Sequence, residues 1–416
     1  MKKIILMILL SFCLLMTAEA QWIVQNSGTT TEILSVCFIN RNTGWVCGNG
    51  IILKTINSGT NWEHQTHPTT NKRLECIFAI DSNIVFCVGQ YETILKSTNG
   101  GTLWVPIRNG PAGMSYTYYS TYFINSNTGW ITGGGQYILK TTNGGITLDS
   151  IYQFLGLTRD IYFNNMNTGI LCGNGGTLKK TTDGGYNLYT PNINLHGNLY
   201  DFRDISFVNN QYGWIIGQQA NGVYRTSDFG QNWDSVGNVI EGYEVYSVFF
   251  SSINTGWCGS GGIGGGRLFK STNSGYSWSR QLGFPIPGFV ADIYFYNDSI
   301  GWAVGSNGMI LYTTTGGVTF VKQLSYEIPN SFTLYQNYPN PFNNTTLINF
   351  DIKEKDVYIM HIFDVNGRKI DEVFREEKTP GSYQIKYYGD GLSSGIYFYK
   401  LKSSRNSQSK KFILIK

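Results

Sequence analysis

Gly44-Trp45-Val46-Cys47-Gly48, followed by Thr55-Ile56-Asn57-Ser58-Gly59-Thr60-Asn61-Trp62, is the stretch that decides the fold of this 416-residue chain. Its first part, a glycine-aromatic pair within an apolar run, returns at intervals of 40 to 45 residues. The clear copies are Gly129-Trp130, Gly213-Trp214, Gly256-Trp257 and Gly301-Trp302, and the degenerate copies are Val85-Phe86 and Gly169-Ile170. Self-similarity at such a period indicates a repeat architecture with seven units.

The second part of each repeat is a turn box, in which Ser or Thr is followed by x-[Asp/Asn]-x-Gly-x-x and then an aromatic residue or Leu. The boxes begin at Thr55, Ser97, Thr141, Thr181, Thr226, Ser271 and Thr313. A short Asp or Asn side chain bonds nearby backbone N–H groups in a tight turn, and Gly supplies a positive φ. We therefore predict a structural role for the box residues Asn57, Asn99, Asn143, Asp183, Asp228 and Asn273.

Each repeat predicts four short strands, two around the Gly-Trp pair, one before the turn box and one after it. Fifty glycines, 28 tyrosines and no long stretch of helical period favour an all-β chain. Four-stranded sheets arranged radially are the propeller solution to exposed sheet edges. We predict a seven-bladed β-propeller over residues 21–325. Two segments compete for its closing strand, Gln21-Trp22-Ile23-Val24-Gln25 and Phe320-Val321-Lys322-Gln323.

The turn boxes resemble the Asp-boxes of bacterial neuraminidase-type repeats. The fuller unit, with strings such as Lys180-Thr181-Thr182-Asp183-Gly184-Gly185, is similar to propellers related to photosystem II stability and assembly factors. This resemblance covers the repeats from Gln21 to Ser325 and implies a fold. It implies little about activity, because one fold hosts many functions.

The repeats end before a C-terminal segment of different sequence. Its motifs are Tyr338-Pro339-Asn340-Pro341-Phe342, Asp364-Val365-Asn366-Gly367-Arg368 and Leu392-Ser393-Ser394-Gly395-Ile396-Tyr397-Phe398. Alternating apolar residues and Asn-Gly or Ser-Gly turns predict a small β-sandwich over residues 332–416, after a linker at 326–331.

These C-terminal motifs resemble the type A C-terminal sorting domain of the type IX secretion system. The resemblance implies that the type IX machinery recognises residues 332–416 at the outer membrane. It also implies that the protein is released or held on the cell surface. An ordinary accessory sandwich is the alternative.

The N-terminal residues have the pattern of a secretory signal peptide. Lys2 and Lys3 precede the apolar run Ile4–Met16, and Ala18-Glu19-Ala20 is a small-residue cleavage motif. We predict cleavage after Ala20 and no stable membrane span in the mature chain. The run is short for a membrane anchor, which is the alternative interpretation.

Charge excludes one class of partner. Residues 21–331 carry 16 Lys and Arg against 17 Asp and Glu, and residues 332–416 carry 13 against 9. The repeats therefore lack the basic field of a nucleic-acid-binding protein, and we predict no nucleic-acid partner.

Neither metal nor cofactor is predicted. The chain has no CxxC pair, and its cysteines lie within apolar strand patterns, where we interpret them as small buried thiols. His64 and His67 are close in sequence, but no third ligand is visible nearby. We interpret both as surface residues.

The first strand of each blade lines the central channel of a propeller. Superposing the repeats gives one polar column, which holds Ser35, Glu75, Ser120, Asp160, Asp204, Ser247 and Asp292. The preceding column holds Leu34, Leu74, Tyr119, Arg159, Arg203, Tyr246 and Ala291. One hypothesis is a ligand pocket at the channel mouth, formed by the polar residues Arg159, Arg203, Asp160, Asp204, Asp292 and Glu75. The alternative is that these residues satisfy backbone groups between blades.

Three functions compete. A rigid, nearly neutral scaffold rich in Tyr and Trp favours a non-catalytic binding module for an extracellular protein or glycan. A secreted sialidase- or endoglucanase-like glycoside hydrolase would need a carboxylate pair from the same acids. The Arg-Ile-Pro string of sialidases is absent, and we predict no catalytic residues. An envelope assembly or stability factor is the third candidate, by fold analogy.

Overall fold

The computed structural model describes residues 22–415, except 112, 114–115, 136, 153–155, 194–200, 218–221, 239–243, 263–264, 282–285, 318–320, 344 and 390–391. The predicted signal peptide, residues 1–20, lies outside the described residues. The described chain is all-β, as predicted, with 36 strands and one 3-10 turn at Ser306–Gly308. Among these residues, none belongs to a helix with the length and hydrophobicity to cross a bilayer.

The first strand, β1 (Ile23–Gln25), precedes three sheets of four antiparallel strands each. Sheet 1 contains β2 (Ile33–Phe38), β3 (Gly44–Gly48), β4 (Ile52–Thr55) and β5 (Glu63–His64). Sheet 2 contains β6 (Leu74–Ala79), β7 (Val85–Gly89), β8 (Thr93–Ser97) and β9 (Val105–Arg108). Sheet 3 contains β10 (Tyr118–Phe123), β11 (Gly129–Gly133), β12 (Tyr137–Thr141) and β13 (Asp149–Tyr152).

Four more sheets follow along the chain. Sheet 4 contains β14 (Thr158–Phe163), β15 (Gly169–Gly173) and β16 (Leu178–Thr181). Sheet 5 contains β17 (Asn192–Ile193), β18 (Phe202–Phe207), β19 (Gly213–Gly217), β20 (Gly222–Thr226) and β21 (Asn232–Asn238). Sheet 6 contains β22 (Glu244–Phe250), β23 (Gly256–Gly261), β24 (Arg267–Ser271) and β25 (Ser279–Arg280). Sheet 7 contains β26 (Val290–Phe295), β27 (Gly301–Gly305), β28 (Ile310–Thr313) and the N-terminal strand β1.

The expectation of four strands per repeat is wrong for the fourth repeat. Its last segment makes a single antiparallel bridge, Lys180 to Tyr189, and then leaves sheet 4. Pro191, two residues later, has no N–H to donate and ends the ladder. The chain continues as β17, which pairs in parallel with β21 of the neighbouring sheet.

The N-terminal segment, and not the segment after the last turn box, completes sheet 7. Strand β1 pairs antiparallel with β28, with Val24 opposite Leu311. Strand β29 (Val321–Ser325) instead pairs with β34 (Gly381–Tyr388) in the C-terminal part of the chain. The predicted propeller boundary at residue 325 is therefore too late, because β29 hydrogen-bonds to a C-terminal sheet.

The glycine of each Gly-Trp pair leaves room for an aromatic ring. A Cβ on Gly44 would lie 2.4 Å from the ring of Phe38, six residues earlier, and five other repeats repeat this clash. In the second repeat Val85 replaces the glycine, and Ala79 replaces the phenylalanine. The exchange conserves volume at a buried contact, which explains how this degenerate copy still fits.

The tryptophan of the Gly-Trp pair reaches the turn box of the following repeat. The indole Nε1 of Trp130, for example, donates to the Gly184 carbonyl at 2.9 Å. Four other tryptophans make the same contact with their next box, at Trp45, Trp214, Trp257 and Trp302. Trp302 donates to Ser58, so the contact also joins the last repeat to the first. We call these contacts the outer ring.

The turn boxes have the predicted geometry. In the best copy, Thr226 Oγ1 accepts the Gly230 N–H at 2.8 Å and donates to Asp228 Oδ1 at 2.8 Å. Asp228 Oδ1 in turn accepts the Asn232 N–H at 2.9 Å, and Gly230 has a φ of 68°. The corresponding Asn or Asp residues of five other boxes accept the same bonds. Their predicted structural role therefore has a clear physical basis.

Each pair of neighbouring sheets shares a separate hydrophobic core. Seven clusters of buried residues lie between sheets 1 and 2, 2 and 3, and so on, with the last between sheets 7 and 1. The first strands of these sheets contact one another in the same cyclic order. The sequence prediction of a propeller architecture is therefore confirmed.

The C-terminal part forms two further sheets. Sheet 8 contains β29, β30 (Thr333–Leu334), β31 (Thr345–Ile352) and β34. Sheet 9 contains β32 (Asp356–Phe363), β33 (Lys369–Lys378), β35 (Gly395–Lys402) and β36 (Ser407–Leu414). One core cluster joins them, with Phe350 and Ile385 from sheet 8 against Met360 and Leu401 from sheet 9. Phe342 of the Tyr-Pro-Asn-Pro-Phe motif is buried in this core.

Candidate functional site

A β-bulge in every first strand aims two successive side chains into the channel. In β14, Thr158 lies opposite Gly173 and Asp160 opposite Cys172, so Arg159 is the extra residue. Side chains normally alternate between the faces of a strand, and a bulge lets two neighbours share one face. All seven first strands carry this register shift.

The bulges create two tiers of residues around one cavity. We call the bulged residues the rim, namely Leu34, Glu75, Tyr119, Arg159, Arg203, Tyr246 and Ala291. We call the residues that follow them the belt, namely Ser35, Cys76, Ser120, Asp160, Asp204, Ser247 and Asp292. The cavity has a volume of about 400 Å³ and brings together all six candidate ligand-binding residues.

The sequence superposition is wrong by one residue in the second repeat. It puts Glu75 in the belt and Leu74 in the rim, whereas Leu74 pairs with Gly89 and Cys76 occupies the belt position. Cys76 lies nine residues before Val85, which is the spacing that every other belt residue keeps to its glycine. That constant spacing is the signal that was missed, because the polar character of Glu75 suggested the wrong alignment.

Three belt aspartates each link their first strand to the next one. Asp160 Oδ2 accepts the Ile205 N–H at 2.9 Å, and Asp204 Oδ2 accepts the Val248 N–H at 2.7 Å. Asp292 Oδ2 accepts the Val36 N–H at 2.9 Å and so closes the series from the last repeat to the first. These bonds match the structural interpretation of the acids, in which they satisfy backbone groups between neighbouring sheets.

Burial keeps the belt acids from ionising readily. It raises the pKa of Asp292 to about 6 and also raises the pKa of Asp160. The pKa of Asp204 lies well above its usual value, because burial is joined by the negative charges of Asp160 and Asp292. Burial therefore favours the neutral form of both carboxyls, and the charge of Asp160 adds to this effect at Asp204.

Two arginines of the rim stand over tyrosine rings. The Arg159 guanidinium carbon lies 4.4 Å from the ring centre of Tyr119, and that of Arg203 lies 5.8 Å from the ring centre of Tyr246. Arg159 also donates from Nε to Asn174 Oδ1 at 3.0 Å. Burial and the positive charge of Arg203 lower the pKa of Arg159. The two cations are therefore close enough to repel each other.

Arg73 contributes a third cation, but carboxylates neutralise it. Its guanidinium lies 2.7 Å from Glu32 Oε2 and 2.9 Å from Glu75 Oε1. Burial raises the pKa of Glu75, and the charge of Arg73 opposes that rise. Among the described residues Arg159 has no such ion pair. Arg159 and Arg203 therefore bring two guanidinium groups to one side of the cavity.

One belt residue has an unused hydrogen-bonding group. Ser247 is 2% exposed, and its Oγ has no partner among the described residues. It lines the same cavity as Arg159 and Arg203. A buried hydroxyl without a partner is costly, and a ligand group in the cavity can satisfy it.

The described residues contain no group of three or more His, Cys, Asp or Glu side chains arranged to hold a metal ion. The interpretation of both histidines as surface residues is wrong for His67, which is 5% exposed and lies with Nδ1 3.3 Å from Thr69 Oγ1. His64 is exposed.

Two family models match the sequence. Residues 336–416 match the secretion system C-terminal sorting domain. Residues 14–111 and 155–240 match the photosynthesis system II assembly factor YCF48 family. A search of curated proteins found no match.

Solved structures show the same propeller fold at low sequence identity. A structure described as YCF48 bound to D1 peptide has a TM-score of 0.59 and 19% identity, over 71% of this chain and 97% of that one. YCF48 from Cyanidioschyzon merolae has a TM-score of 0.58 and 19% identity, over 71% and 99%. A GH74 xyloglucanase from Xanthomonas campestris has a TM-score of 0.56 and 8% identity, over 80% and 59%.

Proposed function

We propose that this chain is an exported, non-catalytic binding protein. Its sequence matches the photosystem II assembly factor family in the propeller and a secretion system sorting domain at the C-terminus. The sorting domain directs the protein through type IX secretion to the cell surface or beyond. The propeller binds an acidic peptide segment of an extracellular partner protein at the rim of its channel.

The observation that carries this proposal is the pair Arg159 and Arg203 on one side of the cavity. Burial and the positive charge of Arg203 lower the pKa of Arg159, and a ligand carboxylate between the two arginines would offset that repulsion. Arginine presents planar N–H groups that match a carboxylate in two-point contact. Stacking on Tyr119 and Tyr246 fixes the guanidinium planes and reduces the entropy that binding must remove.

The belt acids support a non-catalytic role. Glycoside hydrolysis usually needs two carboxyl groups about 5–10 Å apart across the scissile bond. Asp160 and Asp204 instead each accept a backbone N–H from the next strand. Asp292 is engaged in the same way. Hydrolysis of a glycan, suggested by the GH74 likeness, is the alternative function.

The proposal includes a specific architecture. Sheets 1 to 7 are the blades of one closed seven-bladed ring, supported by the cyclic order of first-strand contacts and by β1 in the last sheet. Sheets 8 and 9 form a sandwich around their common core. The signal peptide is cleaved after Ala20, and the type IX machinery binds residues 332–416. A dedicated envelope assembly factor is the narrower version of the same binding role.

The test measures binding of the full chain to two arrays, one of acidic and neutral peptides and one of acidic and neutral glycans. We expect binding to acidic peptides that weakens with salt. Arg159→Gln with Arg203→Gln should reduce that affinity at least tenfold. Arg41→Gln is the matched control, because Arg41 is an exposed arginine of the first repeat that does not line the cavity.

Unchanged peptide binding in the double variant would contradict the rim site. Binding to glycans alone would replace the peptide with a glycan ligand. Release of reducing sugar from xyloglucan or of free sialic acid from sialosides, lost in Asp204→Asn, would favour the hydrolase.

A further inference from the structure

The second strands of neighbouring sheets meet at a regular pair of positions. Positions are counted from the glycine of the Gly-Trp pair, or from Val85 in sheet 2. The residue three positions after this glycine in one sheet packs against the residue two positions after the glycine in the next sheet. Core clusters contain this pair as Val88 with Ile131, Cys172 with Ile215, Ile216 with Cys258, and Val304 with Val46. The repeat thus predicts which side chains face each other across these interfaces.

Between sheets 1 and 2 both members of the pair are cysteines. Cys47 of β3 and Cys87 of β7 are 0% exposed and lie in one core cluster. Cys47 Sγ donates to the Leu74 carbonyl at 3.6 Å, and burial together with the neighbouring Cys87 thiol raises the pKa of Cys47. Cys172 and Cys258 occupy equivalent positions, but isoleucines face them. All six described cysteines are free in this structure.

We propose that Cys47 and Cys87 form a disulfide that links the first two sheets when the protein is exported. The inference rests on the proposed export, which takes the chain out of the reducing cytoplasm and into an oxidising compartment. One thiolate attacks the disulfide of a thiol oxidase and forms a mixed disulfide. The second thiolate displaces the oxidase sulfur, so that two protons leave the cysteines and two electrons reduce the oxidase to its dithiol.

Burial fixes the time at which this oxidation occurs. It raises the pKa of both thiols, so the folded protein offers almost no reactive thiolate. The bond therefore forms before sheet 1 packs against sheet 2, or while the two are transiently apart. Once formed, it is buried and resists reductants in the native state.

The experiment compares full-length protein secreted by a type IX-exporting bacterium with the same chain refolded under a reductant. Each sample is denatured without reductant, alkylated with iodoacetamide and analysed by mass spectrometry. We expect four alkylated cysteines in the mature secreted protein, and a cross-linked peptide pair containing Cys47 and Cys87. The reduced sample should carry six alkyl groups.

A stability measurement gives a second readout. A reductant added during denaturation should lower the midpoint temperature of the secreted protein by roughly 5 °C, since the bond closes a loop of about 40 residues. Cys87→Val should abolish this sensitivity. Cys172→Val, at the equivalent position of Cys47 in sheet 4, should retain it. Six alkylated cysteines in the secreted protein, or a cross-link between other cysteines, would overturn the proposal.

Discussion

The outer ring and the belt both join neighbouring sheets, yet they do so with different chemistry. The outer ring uses neutral groups, such as the Trp257 indole that donates to the Gly316 carbonyl at 3.0 Å. The belt uses carboxyls on the channel side, such as Asp292, which accepts the Val36 N–H. The outer ring uses tryptophan in five sheets, with Phe86 and Ile170 at that position in the other two, whereas the belt mixes Ser, Asp and Cys.

This difference separates contacts that hold the sheets together from positions whose side chains can vary. A contact that recurs with the same residue types serves the ring itself. The rim and belt keep the backbone geometry of a bulge in every sheet but change side chains from sheet to sheet. Function is therefore expected on the channel side, on a frame that the outer ring stabilises.

The largest effect should come from breaking the outer ring. Trp257 is 0% exposed, stacks on Phe295 at 3.5 Å and bonds to the next turn box. Trp257→Ala removes this packing and should cost about 3–5 kcal/mol in the free energy of unfolding. Denaturant unfolding of the full chain measures the loss.

The control for this change is Tyr276→Ala, in the turn box of the same sheet. Tyr276 is 58% exposed, so its removal should change stability by less than about 0.5 kcal/mol. Equal losses in the two variants would show that the outer ring has no special role.

The sequence predicted the two motifs of the outer ring but not the contact between them. The Gly-Trp pair and the turn box were both visible, because each repeats at a fixed period. Their contact was hidden, since it joins residues such as Trp45 and Gly100 of successive repeats. The reason for the glycine was also hidden, although Phe38 and Gly44 keep the same spacing in most repeats and change together in the second.

The belt should respond to pH where the outer ring does not. The pKa of Asp292 is about 6 in the folded protein and about 4 in an unfolded chain. The stability that neutral Asp292 contributes is present below pH 4 and is lost as pH rises through 6. Asp292→Asn should therefore remove a decline of about 2–3 kcal/mol between pH 4 and pH 7. Unfolding curves across this range give the difference.

Asp183→Asn is the control, because the pKa of this turn-box carboxyl is lowered by hydrogen bonds from Asn187 and Thr181. Its contribution is present above pH 4 and is lost only as pH falls further, which is the opposite sign. Asp160 and Asp204 also have raised pKa values and should leave part of the decline in Asp292→Asn, but a decline as large as in the wild type would contradict the role of Asp292.

The candidate site could be predicted in composition but not in arrangement. Repeat alignment found Arg159, Arg203 and the three aspartates, since they stand at fixed distances from the Gly-Trp pairs. It could not show that a bulge turns Arg159 and Asp160 into the same cavity, because strand periodicity places neighbours on opposite faces. The raised pKa of Asp204 also depends on burial and on the charge of Asp160, which belongs to the preceding repeat.

A smaller effect is expected inside one turn box. Thr226 is 1% exposed, and its Oγ1 accepts the Gly230 N–H and donates to Asp228. Thr226→Ala leaves that buried N–H without a partner and should cost about 1–3 kcal/mol. Thr226→Ser keeps the hydroxyl and should recover most of the loss. Asp228→Asn should cost less than about 0.5 kcal/mol, because Asn already fills this position in Asn57 and Asn273. A large loss for Asp228→Asn would contradict this division of roles.

The smallest change in stability is expected in the second sheet, where Phe86 occupies the position of the tryptophan. Here Lys96 Nζ lies over the Phe86 ring and donates to the Gly144 carbonyl at 2.6 Å, so the lysine replaces the indole N–H. Phe86→Trp alone should change stability by less than about 1 kcal/mol, since the carbonyl already has a donor and the larger ring must displace neighbours. Lys96→Met alone should cost about 1 kcal/mol, and the double variant should regain that loss through the new indole N–H. If the two changes were simply additive in denaturant unfolding, the lysine and the indole would not be interchangeable donors.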